Sequence, residues 1–236
     1  MQAVILAGGK GVRLRPYTFL LPKPLMPVGD LAVIEILLKW LRRWGVKKTY
    51  ITIGHLGNLI RSLCGDGSQW DIEIVYSDEP EPLGTIGPLR LIKNHLTETF
   101  LTLNGDLITD LNIHELKSFH RERRGLITVA VTEKTITTDL GVLESQNGRM
   151  TGFREKPTIK FQASTGVYCM EPQILELIPE GAPFGFDDLM YAMLEQGLPV
   201  YLYKHDGLWL DIGRKEDFRN AQEAFDREYK HAVLGC

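Results

Sequence analysis

Cysteine is scarce: Cys64, Cys169 and Cys236 are the only three in 236 residues. Their odd number and wide spacing exclude a disulfide framework and a zinc site and fit a reducing compartment, so a cytoplasmic location is expected. No apolar run approaches the ~18 residues of a membrane span. The N-terminus lacks a basic stretch followed by an apolar one, so export and membrane association are not expected. A dominant charge sign is missing too, with 27 Lys and Arg against 30 Asp and Glu. A net charge of −3 argues against general nucleic-acid binding. It still allows anionic small substrates, provided the cations gather in one cleft. His114 and His120 fall on different faces of a helix, and no histidine pair has metal-ligand spacing. A Ser or Cys nucleophile signature is absent, so a covalent mechanism has no support. Both well-known phosphate loops are incomplete. No window supplies the P-loop, and a dinucleotide fingerprint begun at Gly9 and Gly11 would need its third glycine at Leu14.

What the chain does have lies in its first thirty residues. The apolar run Ala3 to Leu6 suits a strand buried on both faces. It ends at Gly8, Gly9 and Gly11, a density of glycine that lets the backbone turn and present bare N–H groups to an anion. Arg13, Arg15 and Lys23 add positive charge just beyond. A strand, a glycine turn and three cations describe a polyphosphate site.

Downstream, Ile34, Leu37, Leu38, Leu41 and Trp44 recur at helical steps and stop at Gly45. Strands are expected over residues 49–53, 73–76 and 100–103, with a helix ending near Cys64 and a short helix after the loop at residues 77–84. This alternation predicts an α/β, doubly wound, mainly parallel, Rossmann-like sheet. From Leu126 the rhythm changes to short strands at residues 126–132, 141–144, 151–154 and 164–168, which suggest an antiparallel extension or lid. Helices at residues 172–177 and 186–196, strands at 200–203 and 208–210, and a last helix at about 215–229 complete the chain. No Pro-, Gly- or Ser-rich linker and no repeat divides it. One domain over residues 1–236 is therefore expected.

Two carboxylates stand out. Asp106 follows a predicted buried strand, and Asn104 and Gly105 beside it are poor strand formers, so the chain emerges there into a crevice. Asp211 repeats the pattern amid Trp209, Leu210 and Ile212. Either Asp alone would more often be a helix cap. As a pair beside a phosphate loop they suit Mg²⁺, which takes one or two carboxylates, waters and phosphate oxygens.

The segment Leu6-Ala-Gly-Gly-x-Gly-x-Arg-Leu-x-Pro, followed by Pro22-Lys23-Pro24-Leu25-x-Pro27-Val28, resembles the signature of the sugar-phosphate nucleotidylyltransferases. Matching blocks continue in that family's order to about residue 213, with residues 1–124 corresponding to its nucleotide part and 125–213 to its sugar-phosphate part. The resemblance implies transfer of a nucleotidyl group from a nucleoside triphosphate to a sugar 1-phosphate. It assigns Arg13 and Lys23 to catalysis, and Leu6, Ala7, Gly8, Gly9, Gly11, Val12, Leu83, Gly84, Thr85 and Gly105 to the nucleotide. Lys156 would hold the sugar phosphate, Glu155 the sugar hydroxyls, and Gly141, Ser164 and Thr165 would line the sugar pocket. Asp106 and Asp211 match its Mg²⁺ positions. Val12 departs from the usual Thr or Ser; it is harmless where only the backbone N–H is used and loses a contact where the hydroxyl is.

Residues 81–89 resemble the base loop of guanylyltransferases acting on mannose or manno-heptose phosphates, which implies GTP. The Gln often found there in pyrimidine-specific relatives is absent, and Gly84 and Gly87 leave room for a purine. The alternatives are a uridylyl- or thymidylyltransferase, a glycosyltransferase, and a non-catalytic NDP-sugar sensor. A glycosyltransferase is opposed by the lack of Asp-x-Asp around Asp106, and a sensor by the retained charges. The final helix is a candidate contact for a homo-oligomer.

Overall fold

The run after Met1 forms β1 (Gln2–Ala7), the strand on which the others assemble in a computed structural model that describes residues 1–225 and Val233. Beyond the glycine turn come β2 (Pro27–Val28), β3 (Leu31–Ala32) and α1 (Val33–Arg43). Ile34, Leu37, Leu38 and Leu41 of α1 are buried as their spacing requires. Glu35 accepts the Ala32 N–H at 2.9 Å, satisfying a donor at the helix start. Next are β4 (Lys48–Ile53), α2 (Gly57–Cys64), β5 (Glu73–Asp78), β6 (Phe100–Asn104), β7 (Leu107–Thr109) and α3 (Ile113–Arg123). The second half holds β8 (Ile127–Thr137), β9 (Val142–Gln146), β10 (Arg149–Arg154), β11 (Thr158–Met170), α4 (Phe186–Glu195), β12 (Val200–Lys204), β13 (Trp209–Asp211) and α5 (Lys215–Ala224). The expected last turn of the final helix, residues 226–229, lies outside the described residues.

Seven strands make the central sheet in the order β12-β8-β11-β6-β1-β4-β5. β1 runs parallel to β4 and β6, β5 parallel to β4, and β12 parallel to β8. Only β11 opposes its neighbours. The expected doubly wound, mainly parallel sheet is present. Alternate residues of β1 feed its two faces: Ile5 packs into a core with α1, and Val4 into one with Ile86, Phe100, Leu189 and Met193. The chain winds outward from β1 through β4 to β5, then returns to place β6 on the other side of β1. Where winding reverses, the carboxyl ends of β1 and β6 diverge and leave a crevice. The Gly105 N–H donates to Leu6 O at 2.9 Å across that point.

The antiparallel part differs in extent from the expected short strands. β8 and β11 are 11 and 13 residues long, and their buried ends belong to the central sheet. Their outer ends, Thr132–Thr137 paired with Thr158–Ala163, form an arm carrying the β9–β10 hairpin. The run Ile127-Thr-Val-Ala-Val131 is apolar enough for burial on both faces, whereas Glu133-Lys-Thr-Ile-Thr137 is not, so one strand serves both environments. The short helix expected after the loop at residues 77–84 and the helix expected at residues 172–177 are both 3₁₀, over Gly87–His95 and Pro172–Leu177, each beginning around a proline.

Candidate active site

A cleft of about 740 Å³ lies over the carboxyl ends of β1, β4 and β6. Gly11 sets its floor with φ 61°, and its carbonyl accepts the Thr18 hydroxyl at 2.7 Å. A Cβ there would lie 2.7 Å from Thr18 Cγ2 and 2.9 Å from Lys23 Cγ, so the turn tolerates only glycine. Lys23 Nζ donates to Asp106 Oδ2 at 2.7 Å, and the two side chains are only 13% and 19% exposed. Each ion offsets the desolvation of the other, which is the condition for burying either.

Asp211 reaches the same place by a different route. β13 pairs antiparallel with β7, opposing Asp211 to Leu107, and the Ile212 N–H donates to Asp106 O at 3.0 Å. The Asp211 carboxylate accepts the Gly213 N–H at 2.8 Å. Burial and then the charge of Asp106 raise its pKa, against the opposing pull of the Gly213 N–H, Lys23 and Arg13. A carboxyl with a raised folded pKa holds its proton more tightly folded than unfolded. Its stabilising contribution is complete in acid, below the unfolded pKa, and is lost as pH rises through the folded one. Asp211→Asn is therefore expected to stabilise the metal-free protein at neutral pH by about 1 kcal/mol, as removal of strained active-site charge commonly does. Thermal melts in chelator at pH 7 check this, and an unchanged or lower Tm contradicts it.

Leu6, Ala7, Gly8, Gly9, Gly11, Gly84, Thr85 and Gly105 line the cleft together with Arg13, Lys23 and Asp106. Val12 is half-exposed in the turn beyond it. Leu83 is buried behind the wall, its carbonyl accepting the Phe184 N–H at 2.8 Å. The residues expected to bind the sugar phosphate lie on or beside the arm, off the lining of this cleft. Gly141 packs against the arm, where a Cβ would sit 2.7 Å from Phe153 Cε2 and 3.2 Å from Glu155 Oε2. Lys156 has φ 41°, a left-handed conformation uncommon for a lysine and of the kind found at ligand sites. Ser164 and Thr165 stand at the register shift where β11 parts from β8. The Thr165 hydroxyl donates to Ala130 O at 2.9 Å, and its carbonyl accepts the Trp209 indole N–H at 2.7 Å. That side chain holds the bulge in place.

Thr52, Glu79 and Asn104 are among the cleft residues that escaped sequence reasoning. All three stand at or just past the carboxyl end of a strand in the parallel half of the sheet. Only that position signals them, and it becomes visible once the strand order is known.

Compared with known proteins, the sequence profile described as Nucleotidyl transferase matches residues 2–228. The chain belongs to the nucleotidyl transferase family. Among curated family members, the UTP–glucose-1-phosphate uridylyltransferase of Synechocystis sp. is 32% identical, over 99% of this chain and 66% of that protein. The mannose-1-phosphate guanylyltransferase catalytic subunit beta of Danio rerio is also 32% identical, over 92% of this chain and 62% of that one. The chain thus spans just under two thirds of the length of these relatives. HddC from Yersinia pseudotuberculosis shares the fold with a TM-score of 0.76 at 21% identity, covering 95% of this chain and 99% of that one.

Proposed function

We propose that this nucleotidyl transferase moves a nucleotidyl group from a nucleoside triphosphate to a sugar 1-phosphate. The observation that carries the proposal is the convergence of a glycine turn, Arg13, Lys23 and two carboxylates at the switch point of the sheet. An oxygen of the sugar phosphate attacks the α-phosphorus, a P–O bond forms, and the bond to the leaving pyrophosphate breaks. The acceptor brings its own oxyanion, so no general base is needed. The difficulty is charge, and the protein's contribution is positioning and electrostatic stabilisation.

Backbone N–H groups of the glycine turn and Arg13 hold the β- and γ-phosphates. Lys23 neutralises the α-phosphate region, and Lys156 holds the attacking phosphate, with Glu155 on the sugar hydroxyls. Asp106 and Asp211 fit Mg²⁺. The donor set is hard oxygen, and the two carboxylates are close enough for one to raise the pKa of the other. When bound, Mg²⁺ supplies Lewis-acid stabilisation and a template for the phosphates. Among the described residues no group of three or more His, Cys, Asp or Glu could hold a metal. Waters and substrate oxygens would complete the coordination of an ion held by the two carboxylates. No described helix is long and apolar enough to cross a membrane. A single cytoplasmic domain over residues 1–236, with self-association through its last helix, completes the proposal.

GTP is the donor we favour, with a mannose or manno-heptose 1-phosphate as acceptor. The glycine-bearing base loop and the guanylyltransferase relative support it, while the Synechocystis relative supports UTP with glucose 1-phosphate. Pyrophosphate release from a panel of GTP, UTP, dTTP, CTP and ATP with several sugar 1-phosphates tests both. A tenfold lead in kcat/KM for UTP or dTTP, about 1.4 kcal/mol, rejects the guanylyl assignment, and no release with any pair rejects nucleotidyl transfer. In the same assay Lys156→Ala is expected to raise KM for the sugar phosphate by about tenfold or more, with little change for the triphosphate. Equal effects on the two substrates contradict its role.

A further inference from the structure

Asp106 and Asp211 come from distant parts of the chain, and the ribbon formed by β7 and β13 sets their spacing. Each strand is three residues long, and the two make a sheet of their own. So short a pair is marginal unless something beyond its own ladder holds it. Leu107, Ile108 and Leu210 press it onto the core, while its position along its length depends on directional hydrogen bonds. A slip by one residue would carry Asp211 about 3.3 Å along and turn its side chain to the other face.

The end of the ribbon away from the cleft carries a polar cluster. Leu208 O accepts from the Thr109 hydroxyl at 2.9 Å, from His205 Nε2 at 3.0 Å and from the Asp110 N–H at 3.4 Å. A carbonyl can only accept, so Nε2 carries the imidazole hydrogen. Asp110 Oδ1 is buried with no hydrogen-bond partner among the described residues, and the same Nε2 faces it at 3.2 Å. Thr109 Oγ1 in turn accepts the Leu111 N–H at 3.1 Å.

His205 is itself fixed to the central sheet. Only 8% of it is exposed, and its N–H donates to Val131 O at 2.8 Å, one residue past the last pair of β12 with β8. The turn from there to β13 leaves no room at Gly207, where a Cβ would collide with Asp110 Oδ1 and His205 Cε1. The imidazole thus joins the ribbon to β8 through one N–H. Neither His205 nor Asp110 lines the cleft, and three residues of strand, about 10 Å, separate Thr109 from Asp106. Any influence they have on the chemistry passes through the ribbon. Without the imidazole, Asp110 Oδ1 is left buried and unfaced, a desolvation cost relieved when the ribbon shifts toward water. The shift is delivered at the other end, to Asp211.

We propose that His205 is a positioning residue, whose Nε2–H clamps Leu208 and Asp110 at one end of the ribbon and so fixes the spacing of Asp106 and Asp211 at the other. The proposal rests on the nucleotidyl-transfer reading, and a binding measurement lets the two fail separately. His205→Gln keeps an amide N–H near the place of Nε2, and His205→Leu fills the volume without a donor. With the best pair from the substrate panel, His205→Leu is expected to lose about 10²-fold in kcat, with KM for the triphosphate within about twofold of wild type. His205→Gln is expected to recover most of that loss. Mn²⁺ titrated into the intact protein without nucleotide, followed by the electron paramagnetic resonance of the free ion, reads the carboxylate pair directly. His205→Leu is expected to bind it at least about tenfold more weakly than wild type, as Asp211→Asn does, and His205→Gln to bind it as wild type does.

Wild-type kcat and Mn²⁺ affinity in His205→Leu overturn the proposal, whatever its Tm, because they mark a purely structural role. Equal losses in the Leu and Gln variants also overturn it, since the N–H is then not what matters. If His205→Leu fails to fold, His205→Asn, whose amide stops short of Leu208 O, takes its place. Mn²⁺ binding unaffected by Asp211→Asn removes the ion assignment and leaves kcat to decide on His205. The expected Mn²⁺ results without pyrophosphate release from any pair reject transfer and keep His205, and the absence of both rejects both.

Discussion

Asp106→Asn is expected to lower kcat by about 10³-fold or more while leaving the protein folded, an effect on the scale of losing a principal electrostatic group in an active site. The substitution keeps the shape and removes one charge, and two features of the site depend on that charge. Lys23 Nζ, 2.7 Å from Oδ2, loses the counter-ion that holds its ammonium in place in the cleft. The pair Asp106 and Asp211 drops to a single anion, too little to hold a divalent cation against two polyanions. The Asp106 backbone is untouched, so its carbonyl still accepts the Ile212 N–H and β13 stays paired with β7. Pyrophosphate release at saturating Mg²⁺, with a circular-dichroism melt alongside, separates lost chemistry from lost fold. Full activity of this variant and of Asp211→Asn at ordinary Mg²⁺ refutes the metal assignment.

Gly11→Ala is the second large expected loss, at least about 10²-fold in kcat/KM for the triphosphate, since misplacement of a site by an ångström costs that much. The new methyl has to clear both Thr18 and Lys23, the first at 2.7 Å and the second at 2.9 Å, from a backbone at φ 61°. Relief comes by shifting the turn, which moves the Lys23 stem away from Asp106 and carries the N–H groups of the glycine turn with it. Gly9→Ala is the control: a Cβ there meets nothing within 4 Å, so its melting temperature should match wild type. A Gly11→Ala protein with wild-type kinetics and Tm contradicts this account.

Much of the first half was legible in the sequence because short-range chemistry dictates it. Dense glycine after an apolar run has few uses, and the strand–helix alternation up to Arg124 repeats a regular period. Asp106 could be placed at a crevice because Asn104 and Gly105 end the strand before it. The second half was read less well. β8 and β11 each cross from buried sheet to exposed arm, so one strand obeys two hydrophobic patterns and no single period describes it. Glu79 and Thr52 went unread for another reason. A threonine in a β-branched strand and an acid between a strand and a proline are ordinary in isolation. They acquire meaning from β1 lying between β4 and β6, a fact of topology.

The position of β11 also constrains how the chain can assemble. β1, β4, β5 and β6 all precede residue 105, so the parallel half of the sheet can pair as soon as that much chain exists. β8 follows at Ile127, yet its neighbour toward β6 is β11, which begins only at Thr158. Until β11 arrives, β6 presents an open edge with apolar residues on both faces, and β8 has no route to the rest of the sheet. A ribosome adding roughly 5–20 residues per second leaves that edge bare for seconds. β11 is thus the keystone of the sheet, and the interval before it inserts is when the nascent chain is most exposed to wrong strand pairing.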